Sequence, residues 1–317
     1  MDIETEKIPL LIITGPTAVG KTAASVELAK RLNGEIISAD SMQVYRHMDI
    51  GTAKVTEAEK QGIAHWMIDE FEPDDEFNVT IFQKRAAQYI RDIHSRGKLP
   101  IIAGGTGFYI QSVLYDVEFS EYDDEKKAVV QERLLKELEE KGIDVLFERL
   151  KKIDPVYSEI IHKNNTRRVL NAIELYELTG KRMSEHNIEQ RERQSKYDFC
   201  YIVINDEREK LYDRINRRVD IMLKDGLVEE VKVLLDKGYS RELPSMLGLG
   251  YKEIADYLSG DCSLEQAVEL IKRDTRHFAK KQLTWFKRER DVIEINRKDY
   301  PENEQIIEKI IEIFRKK

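Results

Sequence analysis

The first regular pattern in the chain is an almost unbroken apolar run, Ile8 to Thr14, as expected of a strand buried on both faces. A Gly/Pro/Thr turn follows, and from Lys21 to Leu32 alanine and leucine recur at helical spacing, so this segment reads strand, loop, helix. Further strands are predicted at Glu35 to Ser38, around Trp66 to Phe71 and at Leu99 to Ala103, the last preceded by a helical stretch from Thr80 to Arg96. Strands alternating with helices predict a parallel sheet with right-handed crossovers.

The pattern changes between about Glu121 and Lys196, where charged, helix-period sequence contains no convincing strand. A last buried strand is predicted at Phe199 to Asn205, and Leu211, Ile215, Val219 and Met222 then mark one face of a helix. From Gly226 to Lys317 the pattern is mainly helical, interrupted by a Pro/Gly loop from Leu243 to Gly250. The expected organisation is a core begun by residues 1–118, a helical insertion at 119–197, and core completion with a helical C-terminal region at 198–317.

With 41% apolar and 35% charged residues and no apolar run long enough for a bilayer, the chain reads as a cytoplasmic globular protein, and Met1 to Lys7 resemble no secretory signal. Cys200 and Cys262 are too few for a disulfide framework or a zinc cluster. The net charge of −8 argues against nucleic acid, yet Lys272 to Arg290 holds eight Lys/Arg against Asp274 and Glu289. In that segment Arg273, Arg276, Lys280 and Lys287 recur on one helical face, with Phe278 and Trp285 assigned to another that packs inward.

The chemistry begins at Gly15-Pro-Thr-Ala-Val-Gly-Lys-Thr22, which matches the phosphate loop G-x-x-x-x-G-K-[ST] and sits between a buried strand and a helix start, as its mechanism requires. Gly15, Thr17, Ala18, Val19 and Gly20 offer backbone N–H groups to a diphosphate or triphosphate, Lys21 reaches the phosphate, and Thr22 can ligand Mg²⁺. The fold class is therefore α/β, a P-loop NTPase-like parallel sheet flanked by helices, with a mainly helical insertion domain. Asp40 follows the second strand, either facing the phosphate site or capping the next turn. After the fourth strand, where a Walker-B acid often stands, the chain has Gly104-Gly105-Thr106-Gly107, whose threonine hydroxyl suits a leaving oxygen. Arg214 and Arg218, four apart on one helix, supply a candidate charge clamp.

The motifs GPTAVGKT, SADSMQVY, AGGTGFY, RINRRVDIM, LPSMLGLGYKE and RHFAKKQLTWFKR occur in order and together resemble the bacterial-type tRNA dimethylallyltransferase family over nearly the whole chain. Departures are small: Lys163 replaces an expected proline, Leu249 an isoleucine, and Lys281 and Lys287 arginines. The resemblance implies transfer of a dimethylallyl group from dimethylallyl diphosphate to adenine N6 beside the anticodon. Asp40 is the expected base, and Lys21, Thr22 with Mg²⁺, Thr106 and Arg218 would neutralise the leaving diphosphate. It also implies contacts to the tRNA anticodon stem-loop from Asp40, Ser41, Met42, Gln43 and Thr106. The implied set continues with Asn164, Asn165, Thr166, Arg167 and Arg168 of the insertion, then Gly248, Gly250 and Tyr251, and finally Arg276, Lys280, Lys281, Gln282, Trp285 and Lys287. A monomer is expected. The alternatives are a P-loop kinase of a nucleotide or small metabolite, which predicts ATP turnover, and a nucleic-acid-binding regulatory NTPase, whose switch motif is not evident.

Overall fold

The computed structural model of the chain describes residues 7–117 and 124–317. The expected boundary between 118 and 119, and the polar residues 1–6, lie outside the described residues. The described residues fall into two compact units, one formed by those up to Leu114 together with Lys196–Lys317 and the other by those between Tyr115 and Ser195.

The first unit is a six-stranded parallel sheet in the order β3-β2-β4-β1-β5-β6. Its strands are β1 (Ile8–Thr14), β2 (Gly34–Ala39), β3 (His65–Trp66), β4 (Leu99–Gly104), β5 (Tyr197–Asn205) and β6 (Val292–Asn296). The apolar run in β1 has a direct cause: the strand lies between β4 and β5 under helices on both faces, and Leu10, Leu11, Ile12 and Ile13 are all 0% exposed. Helices α1 (Lys21–Arg31), α2 (Glu57–Lys60), α3 (Val79–Ser95) and α4 (Gly107–Leu114) belong to the first half of this unit, with Asn78 capping α3 through the N–H groups of Thr80 and Ile81.

Two predictions along this sheet need correction. The third strand does not run from Trp66 to Phe71, because Met67 (φ 64°) and Asp69 (φ 55°) adopt left-handed conformations that end it after two residues. Phe71 makes only an isolated bridge to Tyr45. The sheet also does not end with the strand expected at Phe199 to Asn205, since β6 pairs with β5 from Tyr201↔Val292 to Asn205↔Asn296. This short edge strand exposes Ile293 and Glu294 and follows a charged helix end, so its alternation was hidden inside helix-like composition.

The second unit contains α5 (Asp124–Ile153), α6 (Pro155–Ile160), α7 (Thr166–Thr179) and α8 (Met183–Glu192), and is helical as the sequence predicts. Gly142, at φ 76°, interrupts α5 so that it folds as two segments. Leu134, Leu146, Leu150, Tyr157, Ile161, Val169, Ala172 and Ile173 form its core. Asp154, 1% exposed, accepts the Tyr157 and Ser184 N–H groups and ties the start of α6 to α8.

After β5 the first unit is completed by α9 (Arg208–Lys224), α10 (Leu227–Asp236), α11 (Tyr251–Leu258), α12 (Leu264–Phe286) and α13 (Asn303–Arg315). Leu211, Ile215 and Val219 of α9 are buried, as their spacing predicts. On α12 the inward face is Ala267, Ile271, Ala279, Gln282 and Phe286, whereas Phe278, assigned to the packing face, is 41% exposed. The parallel register levels the strand ends, with Thr14 opposite Gly104 and Val203, and Ala39 opposite Gly104. Gly15, Asp40, Gly105 and Arg297 therefore all emerge at one end of the sheet.

Candidate active site

The phosphate loop joins β1 to α1. Gly15 (φ 145°) passes so close to β5 that a Cβ would lie 2.1 Å from the Ile204 carbonyl oxygen, and Gly20 (φ 94°) turns the chain into α1. Helix α1 has no side-chain cap and no acidic residue in its first turn. Among the described residues no acceptor meets the N–H groups of Gly20, Lys21 and Thr22, so the positive end of the helix is open to an anion.

Lys21 folds onto this loop, its Nζ donating to the carbonyls of Gly15 (3.0 Å) and Pro16 (2.9 Å). Burial, reinforced by repulsion from Arg218 and opposed by Asp40, brings its ammonium down to about 7. Arg218, half-buried on α9, points Nη1 at Thr17 Oγ1 (3.5 Å), and burial lowers its pKa too. Arg214 takes a different position from that expected of a phosphate clamp. Its Nε donates to the Ala18 carbonyl (3.0 Å), and its Nη2 pairs with the buried Asp206 (2.6 Å).

Two strands from Gly15, roughly 10 Å in sheet spacing, Asp40 follows the end of β2. Its Oδ1 accepts the Met42 N–H at 2.9 Å, which closes a turn, while Oδ2 accepts no hydrogen bond among the described residues. One carboxylate oxygen thus fixes the side chain and the other remains available as a base. Between these strands β4 ends in glycines because the backbones converge: a Cβ on Gly104 would lie 2.2 Å from the Ala39 carbonyl oxygen. Thr106 N donates to that same carbonyl (3.1 Å), Thr106 immediately precedes α4, and its hydroxyl makes no hydrogen bond among the described residues.

Gln282, expected from the resemblance to touch tRNA, lies 6% exposed between the two loops. Its Oε1 accepts the Thr17 N–H (2.9 Å) and its Nε2 donates to the Gly105 carbonyl (3.0 Å), so one amide of α12 joins the phosphate loop to the β4–α4 turn. Trp285, one turn on, packs over Gly107, where a Cβ would lie 2.2 Å from its ring, and meets Phe108 edge-on. Lys280 and Lys281 are exposed on α12 and Lys287 at its C-terminal cap, while Arg276 reaches Asn216 Oδ1 on α9 at 2.6 Å.

The remaining expected residues divide between support and surface. Gln43 donates to the Thr52 and Ala53 carbonyls and is held by Ser38, whereas Ser41 and Met42 are half-buried at the site rim. Met42 lies against Gly248, where a Cβ would approach its Cε to 2.4 Å. Gly250 caps α11 at φ 93°. Tyr251 is fully buried and donates to Glu230 (2.6 Å), which in turn accepts the N–H groups of Asp49, Ile50 and Gly51. Tyr251 thus supports its loop from inside. In the helical unit Asn164, Asn165, Arg167 and Arg168 are exposed and Thr166 half-buried around the N-terminus of α7.

Arg297 was missed by the sequence reading. It follows β6, and its Nε donates to the Val19 carbonyl at 2.7 Å. The signal was the short alternation Val292-Ile-Glu-Ile-Asn296, which, taken as an edge strand, would have delivered Arg297 to the phosphate-loop end of the sheet.

A family model described as IPP transferase matches residues 43–289. A tRNA dimethylallyltransferase of Lachnoclostridium phytofermentans is 56% identical over 98% of each chain. A solved tRNA isopentenylpyrophosphate transferase of Staphylococcus epidermidis is 47% identical, covers 98% of this chain and 100% of its own, and superposes with a TM-score of 0.73. A eukaryotic dimethylallyltransferase described as acting on tRNA matches with a TM-score of 0.74 at 30% identity, covering 91% of this chain and 73% of its own.

Proposed function

The chain belongs to the IPP transferase family, and on that premise we propose that it transfers a dimethylallyl group from dimethylallyl diphosphate to N6 of the adenosine 3′ of the anticodon, releasing diphosphate. The observation that carries this reading at the level of the site is the pairing of an open phosphate loop with a Gly-Gly-Thr turn in place of an acid, joined through Gln282.

Adenine N6 is a weak nucleophile because its lone pair is delocalised into the ring. A carboxylate that takes its proton as the C–N bond forms lowers the barrier, and the uncommitted Oδ2 of Asp40 suits that role. As the allylic C–O bond breaks, negative charge grows on the bridging oxygen of the diphosphate. Lys21, Arg218, the Thr106 hydroxyl and the amides at the start of α1 are the groups to neutralise it. Thr22, exposed at that helix start, would hold Mg²⁺. No cluster of three acidic, histidine or cysteine ligands exists among the described residues, so the ion's other ligands would be diphosphate oxygens and water. When bound it would stabilise the leaving group.

The tRNA must present its adenine unstacked, and the exposed lysines of α12 with the α7 N-terminus suit contacts to its backbone. No helix among the described residues is long and apolar enough to cross a membrane. A cytoplasmic monomer completes the reading. The relatives named above are named for dimethylallyl or isopentenylpyrophosphate transfer and not for phosphoryl transfer, which weighs against the P-loop kinase alternative.

The test is to incubate the protein and Mg²⁺ with unmodified tRNA and radiolabelled dimethylallyl diphosphate, beside an Asp40→Ala variant and an ATP-hydrolysis control. Label should enter tRNA, fall by about 10²-fold or more in the variant, and leave ATP intact. Steady ATP consumption without label would overturn the reading in favour of the kinase.

A further inference from the structure

A phosphate loop binds through its N–H groups, so its carbonyls must point outward and find donors elsewhere. In this loop side-chain cations donate to four of them. Lys21 serves Gly15 and Pro16, Arg214 serves Ala18, and Arg297 serves Val19. The last two carbonyls belong to the stretch where the backbone is hardest to hold, because Ala18 (φ 63°) and Gly20 (φ 94°) both sit in the left-handed region. Without external partners the peptide between Val19 and Gly20 is the one most easily turned, and it carries the Gly20 N–H into the anion site.

We propose that Arg297 is a positioning residue for diphosphate binding, holding the Val19 carbonyl away from the anion site so that the Gly20 amide faces into it. Three observations carry this. The Arg297 side chain is seated by the main chain, its own N–H donating to the Asn205 carbonyl at 2.9 Å at the end of β5. Its guanidinium approaches Gly20 through Nη2, which a Cβ there would meet at 2.6 Å, so a side chain at this position would displace the arginine as well as strain the turn. Arg214 and Arg297 stand together behind the loop with Asp206 as their nearby acid, which leaves a net positive pair facing the back of the cradle. A purely structural contact there would be served by a neutral donor, whereas a cation also raises the potential at the loop.

The inference rests on the diphosphate reading and is tested so that the two can fail separately. Titration calorimetry with inorganic diphosphate and Mg²⁺ is run on the wild-type protein and on Arg297→Met, with donor KM, kcat and thermal unfolding measured for both. Expected are diphosphate binding weakened about tenfold and donor KM raised in parallel, a smaller fall in kcat, and recovery of part of the affinity in Arg297→Lys. Wild-type affinity and KM in a folded Arg297→Met protein would overturn the positioning role while leaving the diphosphate reading intact. A wild-type protein that fails to bind diphosphate would overturn both. Should the methionine variant unfold, Arg297→Lys decides the question, since loss of the fixed fork should still weaken binding and an unchanged affinity would refute the proposal.

Discussion

The sheet unit and the helical unit are held together in different ways, and the difference separates where chemistry is built from where a surface is displayed. In the sheet unit the polar groups around the phosphate loop join positions far apart in sequence: Thr17 to Gln282, Ala18 to Arg214, Val19 to Arg297. The loop keeps its shape only when the last third of the chain has folded onto it. In the helical unit the contacts are closer in sequence, a small core of eight residues is fastened by Asp154, and ion pairs such as Lys151 with Glu148 lie at its surface. Exposed pairs of that kind contribute little each, so the unit depends on its core and its caps.

The most severe way to break the contrast is to cut the long-range tie. Gln282→Leu leaves the buried Gly105 carbonyl without its partner, at a cost of about 1–3 kcal/mol, removes the acceptor of the part-buried Thr17 N–H, and frees the two loops from one another. Transfer to tRNA, measured as kcat/KM, is expected to fall by about 10²-fold, with a loss of thermal stability alongside. Wild-type kcat/KM in this variant would mean that the loops hold their places independently.

Asp154→Ala probes the other side and should act locally. Removing a buried carboxylate that caps α6 and holds the Ser184 N–H should cost about 2 kcal/mol, seen in hydrogen exchange as lost protection in α6 to α8. Protection across β1, β4 and β5, and the affinity for inorganic diphosphate, should be unchanged. A parallel loss in the sheet would show that the two units unfold as one.

The same contrast explains what could be read in the sequence. The phosphate loop was legible because glycines, Lys21 and a buried strand occur within fifteen consecutive residues, and β1, β4 and β5 were legible because burial on both faces leaves apolar runs. Asp40 and Thr106 followed, since strand ends in parallel sheets collect ligands. Gln282 and Arg297 were not legible as supports, because their partners lie 265 and 278 residues away and nothing local marks a backbone carbonyl that needs a donor. Phe278 was misplaced because helical spacing alone does not say which of two apolar stripes meets the core; Ala279, Gln282 and Phe286 do.

The subtlest effect concerns Lys21, whose pKa of about 7 in the folded chain lies far below its ordinary 10.5, first through burial, then through Arg218, with Asp40 pulling the other way. Between these values the unfolded chain holds more protons than the folded one. This lysine therefore makes the protein more stable as pH rises through that window, the reverse of a lysine with a raised pKa. A diphosphate in the cradle favours the charged ammonium, so at about pH 8 binding should take up a fraction of a proton, and at about pH 6, where the lysine is already charged, that uptake should vanish. Calorimetry in buffers of different protonation enthalpy reads the uptake, and Lys21→Arg, charged at both pH values, removes this component and supplies the baseline. Equal uptake in the two proteins at about pH 8 would mean that Asp40 keeps the lysine charged before the anion arrives, and that the phosphate loop holds its full positive charge in advance of its ligand.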